Sequence, residues 1–495
     1  MKKRLRKYKK LFIGMLILVV LIITTLVYYS GRVSTVIDNA VKITPYSPGL
    51  VKNIDHNLET TVYFNQKFND DSILTNTLTN AVRGAKKSIE LAMYSFDYRP
   101  LADELYRASA RGVKVTLILS PDNKSQHDII FEKAPKEIEF INFEKSKSYM
   151  HDKFAIIDRG QESARLLTGS LNWTALQAKF DPSFLLDTKD IDLIEQYGNE
   201  FNRLKTGKRG IDKFMMDDYN PFGALFKYKD GFLETWWSPG RGDNVIQQRI
   251  IDSILSAKKS IEILIWQMSD INIAKAIIKK ANEGVEIKII TDDFNIWEKD
   301  SVFYYIVKQK LKNKLDNLEI IDDVARNIDF KNEIKSHLPY GVTGIKSFLH
   351  QRTLMVDNST VLFGTNNWSG QGSFSNDESI MVSDNKNIVD SFKKSFVWNY
   401  DSLRKKTIKI NRTGNNITIP EIKDIKNASK LVAVSESIKN QGEANVCKEF
   451  ILSSNSLEFN LPNDCFLMPL NIFVLDKENN VLGSNYIFLE STKQE

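Results

Sequence analysis

Short apolar runs alternate with stretches of helical periodicity along most of this chain, and the same series occurs twice. In the first, a helix ends near Ala85, strand-length runs cover Ile89–Tyr94 and Lys114–Leu119, and a helix covers Leu101–Ala110. In the second, a helix ends near Ala257, the strands are Ile261–Trp266 and Glu286–Thr291, and the helix is Ile273–Asn282. Lys86-Lys87-Ser88-Ile89-Glu90 matches Lys258-Lys259-Ser260-Ile261-Glu262, and Arg111-Gly112-Val113-Lys114-Val115 matches Glu283-Gly284-Val285-Glu286-Ile287, both at an offset of 172. One offset across two separate matches marks homologous units. Alternating strand and helix predict an α/β layer fold with each sheet covered on both faces.

The two ends of the chain break the pattern. Leu11–Tyr29 is 19 residues without a charge, long enough to cross a bilayer. It follows seven Lys or Arg within residues 1–10. The pattern predicts a cytoplasmic basic tail (1–10), a transmembrane helix (11–29) and a stalk (30–58) containing Pro45, Pro48 and Gly49. The repeated halves then lie outside the cytoplasm, in a single-pass cell-membrane protein. A cleaved export signal fits less well, since its apolar core is shorter and ends in a small-x-small site.

After about Lys406 short alternating runs (Thr407–Ile410, Asn416–Ile419, Leu431–Val434, Leu457–Leu461, Asn471–Val474, Val481–Tyr486) predict a small all-β domain, 406–495. It holds both cysteines, Cys447 and Cys465, which read either as a disulfide or as buried thiols. Trp236-Trp237 near the start of the second half read as core in preference to lipid contact.

The candidate chemistry lies in two copies of one motif. MHDKFAIID carries His151, Lys153 and Asp158; FLHQRTLMVD carries His350, Arg352 and Asp357. Each is followed by a small-residue turn ending in an amide and a tryptophan: Gly169, Ser170, Asn172, Trp173 and Gly364, Thr365, Asn367, Trp368. The chain has only five histidines, so two at equivalent places in a duplicated pattern point to chemistry. Residues two apart on a strand share a face, so histidine and cation project together. Asp158 and Asp357 fall at the far strand end, where they orient a histidine or cap a turn. Ser170, Thr365, Asn172 and Asn367 supply neutral donors suited to phosphate oxygens.

This arrangement resembles the phospholipase D superfamily, whose signature is His-x-Lys, four residues, Asp, then a Gly-Ser-x-Asn turn. The resemblance covers about residues 59–405. It implies two homologous α/β/α halves (59–205 and 231–405, joined by a linker at 206–230) forming a pseudo-dimer around one active site. The first motif is most similar to the branch of bacterial nucleases and mitochondrial cardiolipin hydrolase.

The family mechanism implies that one histidine attacks phosphorus while the other protonates the leaving oxygen, with Lys153 and Arg352 neutralising phosphate charge and no metal or cofactor. By analogy His151 is the nucleophile and His350 the acid and base. Two departures stand out. Arg352 replaces the expected lysine. The second half keeps Asn376-Asp377-Glu378, whose Glu378 belongs to the phosphate site and braces a histidine, whereas the first half aligns Asp181-Pro182-Ser183 there. A 27-residue excess between Asp292 and His350 in the second half reads as a lid or as a solvated helix.

Charge bears on the substrate. The formal net charge is +6, but seven of the 68 basic residues sit in the tail, which leaves 61 against 62 acidic ones. Nucleic-acid binding carries a basic footprint that is absent overall. A membrane-anchored enzyme hydrolysing or transferring phospholipid headgroups is therefore favoured over an extracytoplasmic nuclease. A non-catalytic phosphate- or lipid-binding protein and a cardiolipin synthase-like transferase are the remaining readings. Two halves in one chain make a monomer the simpler state.

Overall fold

The computed structural model describes residues 48–487, except 66–71, 143–146, 180, 217–220, 241–243, 293–300, 323–348, 406, 414–415, 437–443, 453–457, 462–469 and 478–480. The expected membrane helix, the tail and most of the stalk lie outside the described residues. So does the pairing of Cys447 with Cys465. Among the described residues no helix is long and apolar enough to cross a membrane.

Two mixed sheets share one strand order. The first half has seven strands, in spatial order Thr60–Phe64, Phe184–Thr188, Arg165–Gly169, Lys153–Ile157, Ser88–Met93, Lys114–Leu119, Glu139–Ile141. The second half repeats it as Gly231–Ser238, Glu378–Ser383, Thr360–Gly364, Arg352–Val356, Ser260–Ile265, Glu286–Thr291, Leu318–Asp322. In each, only the last three strands run parallel, since the histidine strand returns by a hairpin. The histidine strands are buried at every position, which their unbroken apolar runs require.

Two segments expected outside the halves belong to the second sheet. Leu50–Asn53, within the expected stalk, pairs in parallel with Ala224–Tyr228, and that strand, within the expected linker, pairs with Gly231–Ser238. A bare edge strand leaves its N–H and C=O groups unpaired. These two strands extend the edge where the first half has Thr60–Phe64 alone. The helix Phe303–Asn313, whose Phe303, Ile306 and Val307 are buried, lies between Glu286–Thr291 and Leu318–Asp322 as Lys124–Phe131 lies between Lys114–Leu119 and Glu139–Ile141, so it repeats an element of the first half and is not an addition.

The carbonyl of each motif tryptophan docks its turn onto the strand-to-helix crossover of the same half. Trp173 O accepts from Asp97 and Tyr98 N–H, and Trp368 O from Ser269 and Asp270 N–H. Between the halves runs a continuous aromatic core. Phe184 meets Phe363 at 5.7 Å and Phe392 at 5.2 Å, and Tyr197 meets Trp237 at 4.9 Å, all edge-on. Trp236 and Trp237 are both buried, as core residues.

The C-terminal region folds as a four-stranded and a three-stranded sheet over one core that includes Ile417, Leu431, Phe459 and Ile472. Thr407–Ile410 is not a strand there; Asn411–Thr413 is. Ala444–Ile451, too polar to stand out in sequence, adds a strand against Lys430–Glu436.

Because Phe184 reaches across the seam, Phe184→Ala should destabilise the protein by about 3–5 kcal/mol. In calorimetry the two halves of the wild type should melt in one transition, and the variant should lower that transition as a whole.

Candidate active site

His151 and His350 each sit two residues before a buried strand, and both line one cavity of about 400 Å³ between the halves. The segment before His151 is held by the other half. Met150 bridges Asp377, His151 N–H donates to Asp377 O at 3.0 Å, and Asp377 N–H donates to Tyr149 O at 2.9 Å. Tyr149 N–H adds a bond to Asn376 Oδ1 at 3.0 Å. Leu349 N–H, just before His350, donates to the buried carboxylate of Asp292 at 2.9 Å.

Around each histidine the same set of groups recurs. Lys153 Nζ donates to the carbonyl of His151 at 2.6 Å and stands 5.2 Å from the Tyr94 ring. Arg352 Nη1 donates to the carbonyl of His350 at 2.8 Å, and its guanidinium stands 5.2 Å from the Trp266 ring. Tyr94 and Trp266 pack on His151 and His350 at 4.7 and 5.9 Å. Arg352 Nε is taken by Asn367 Oδ1 at 2.6 Å, whereas Nη2 is buried without a hydrogen-bond partner. That N–H suits a phosphate oxygen.

The symmetry fails at one point. His151 Nδ1 is 2.8 Å from Glu378 Oε2, a carboxylate also held by the Thr365 hydroxyl at 2.7 Å and by Asn376 Nδ2 at 3.2 Å. In the other half Ser183 takes the place of that glutamate. Ser183 Oγ and His350 Nδ1 are both buried without a hydrogen-bond partner, and only the main chain of Ser170 favours a proton on the ring.

A family model described as cardiolipin synthase, phospholipase D-like domain, matches residues 78–205 and 250–400, more than half of the chain. The chain belongs to the phospholipase D-like family. Mitochondrial cardiolipin hydrolase of Xenopus tropicalis is 31% identical over 134 residues, 27% of this chain and 61% of that protein. A phospholipase D of Rickettsia bellii is 25% identical over 198 residues, 40% of this chain and 94% of its own length. The chain thus spans less than two thirds of the first relative. Among solved structures, phosphatidylserine synthase of Haemophilus influenzae aligns with a TM-score of 0.51 at 13% identity, over 70% of this chain and 88% of that one, a likeness of fold.

Several residues of the phospholipase D-like motifs do other work than their spacing suggests. Asp158 and Asp357 touch neither histidine. Asp158 accepts from the N–H groups of Lys86, Lys87 and Ser88, and Asp357 from those of Lys258, Lys259 and Ser260. Partial burial opposes their charge, yet these N–H groups hold both carboxyls below the usual range. They fasten the far end of the histidine strand to the start of its antiparallel neighbour. Ser170 Oγ accepts from Phe184 N–H at 3.0 Å, and Thr365 donates to Glu378 and accepts from Ser379 N–H; neither is among the residues that line the cavity. Glu378 is turned to His151. Asn172 and Asn367 do line the cavity.

Sequence reasoning missed Tyr94, Trp266, Gln126, Gln177, Gln267 and Gln371 on the cavity wall. Tyr94 and Trp266 share the offset of 172 and were within reach of the repeat. The glutamines lie off that register.

Burial sets the charge state of the site. It pushes His151 down to about 4, against the opposing pull of Glu378, and pushes His350 well below its ordinary value with help from Arg352, Lys153 and His151. Burial also brings Lys153 down to about 7 and Arg352 to about 9. Both imidazoles are therefore neutral at neutral pH in the empty site. Their folded values lie below the unfolded value of about 6.5, so below that pH the unfolded chain binds more protons. Stability should fall as the pH drops from about 6.5 towards 4 in urea titrations, with proton uptake on unfolding. His151→Gln should remove part of that slope.

Proposed function

We propose that this chain is a phosphodiesterase of the phospholipase D type that hydrolyses or transfers phospholipid headgroups through a phosphohistidine on His151. The observation that carries this reading is that two histidines line one cavity and only His151 is braced by a carboxylate. With Nδ1–H held by Glu378, its Nε2 lone pair is free to attack phosphorus. Glu378 also stabilises the imidazolium that forms.

The balance of the reaction follows. His151 Nε2 forms the N–P bond as the P–O bond to the headgroup breaks, and the leaving oxygen takes a proton from His350. Water or an alcohol then gives a proton to His350 and its oxygen attacks phosphorus, breaking the N–P bond. Lys153 and Arg352 offset the charge that grows on the non-bridging oxygens. Burial, helped by the same cations, holds His350 neutral in the empty site. An anionic phosphate counters their field, so His350 gains its proton when substrate binds.

A lipid substrate is favoured by the cavity wall. Apart from the motif cations Lys153 and Arg352, its described residues include Asp97, Asp181 and several amides but no lysine or arginine, a poor surface for a nucleic-acid strand. The names of the relatives, cardiolipin hydrolase, phospholipase D and phosphatidylserine synthase, support the same class. The uncharged run Leu11–Tyr29 supports a membrane-anchored enzyme with its halves outside the cytoplasm, acting on phospholipid beside it.

The full chain in mixed micelles should release headgroups from a phospholipid panel in the presence of chelator, and His151→Ala should lower this about a thousandfold or more. Cleavage of DNA or RNA with no headgroup released would favour the nuclease reading instead. His350→Ala should slow alkyl headgroup release by about 10²–10⁴-fold. It should largely spare the initial burst of p-nitrophenol from a p-nitrophenyl phosphodiester, whose leaving group needs no proton, while slowing the later turnover that needs a base, whereas His151→Ala should abolish both.

A further inference from the structure

Behind His151, a closed cluster of charge joins three parts of the chain. Lys213 comes from the turn Gly210–Met215, in the segment connecting the halves, and its side chain is wholly buried. Its ammonium pairs with Glu200 on the helix Ile191–Lys205 and, at 2.7 Å, with Asp377 Oδ1 in the other half. Glu200 also accepts from Arg203 at 3.0 Å, and Gly210 N–H donates to Asp377 Oδ1 at 2.6 Å. Asp377 immediately precedes Glu378, and its carbonyl takes the N–H of His151. Asp152, immediately after His151, is buried with neither carboxyl oxygen hydrogen-bonded.

The equivalent place in the other half lacks all of this together. Gln351 stands for Asp152, Pro182 for Asp377 and Ser183 for Glu378. The cluster therefore accompanies the braced histidine and is absent beside the unbraced one. A buried charge cluster is a costly way to seal a seam that apolar side chains would close as well. Three carboxyls face two cations, and burial settles the excess by raising Asp152 well above its ordinary value and Asp377 to about 6.

We propose that Lys213 is a positioning residue for His151: by fixing Asp377 it holds the adjoining Glu378 in hydrogen-bond register with the imidazole and so selects the Nδ1–H tautomer. This rests on the reading of His151 as nucleophile for its consequence in catalysis, but not for the tautomer itself. The connecting segment thereby acts as part of the site, since it ties the residue beside the base-orienting carboxylate to the residues beside the ring. Small displacements of reacting groups cost large factors in rate.

The test compares the full-length wild type with Lys213→Met in micelles, using ¹⁵N-histidine spectra in which His151 is assigned by its loss in His151→Ala. The wild type should show a single Nδ1–H tautomer at His151. Lys213→Met should show mixed tautomers there with His127 unchanged, and kcat for headgroup release should fall about tenfold or more while KM stays within about twofold. If Lys213→Met does not fold, Asp377→Ala, which removes the excess carboxyl and leaves Lys213 with Glu200, should give the same result. A folded variant that keeps the single tautomer and the wild-type kcat overturns the proposal. If the wild type turns over no phosphodiester, the proposed function fails, and the tautomer comparison still decides the role of Lys213.

Discussion

The hydrogen bond between His151 and Glu378 joins side chains 227 positions apart and crosses from one half of the molecule to the other. It exists only if the aromatic seam, the Met150–Asp377 bridge and the strand carrying Glu378 are all in place. The motif turn of the second half contributes as well, since Thr365 holds the same carboxylate. Local geometry in both halves thus converges on one oxygen atom. A nucleophilic imidazole needs a fixed tautomer, and in the role proposed for His151 that requirement is met by a group the first half does not possess.

Duplication followed by divergence explains the rest of the site. The two halves keep the same strand order, the same cation-to-carbonyl hydrogen bond and an aromatic ring, Tyr94 or Trp266, against each histidine. They differ where the two steps of the proposed displacement make opposite demands. One ring must keep its Nε2 lone pair available; the other must gain and lose a proton. A carboxylate on one ring and none on the other separates those roles without altering the scaffold. Arg352 in place of lysine fits this division: its Nε and Nη1 are tied to Asn367 and the His350 carbonyl, and its remaining N–H group is left for phosphate.

Much of the scaffold was legible because the repeat supplied its own control. The strands around residues 88–93 and 260–265, the buried histidine strands and the tryptophan turns all follow from matched patterns. Other features depend on partners that no local pattern names. Asp158 and Asp357 look catalytic by spacing, yet strand direction carries them to the far end of the sheet, where main-chain N–H groups compete for them. Leu50–Asn53 reads as stalk because its pairing partner is about 170 residues away. Lys213 reads as one more linker lysine until Glu200 and Asp377 close around it. The cavity glutamines, lying on loops and short helices, fall outside the repeat.

The most direct measurement is a crystal structure of the protein soaked with tungstate or vanadate, anions that take up the geometry of a phosphoryl group under attack. The account predicts one anion in the cavity with Nε2 of His151 and Nε2 of His350 on opposite sides of it and an Arg352 N–H on an equatorial oxygen. Two anions, each on its own histidine, or one anion touching a single ring, would contradict it.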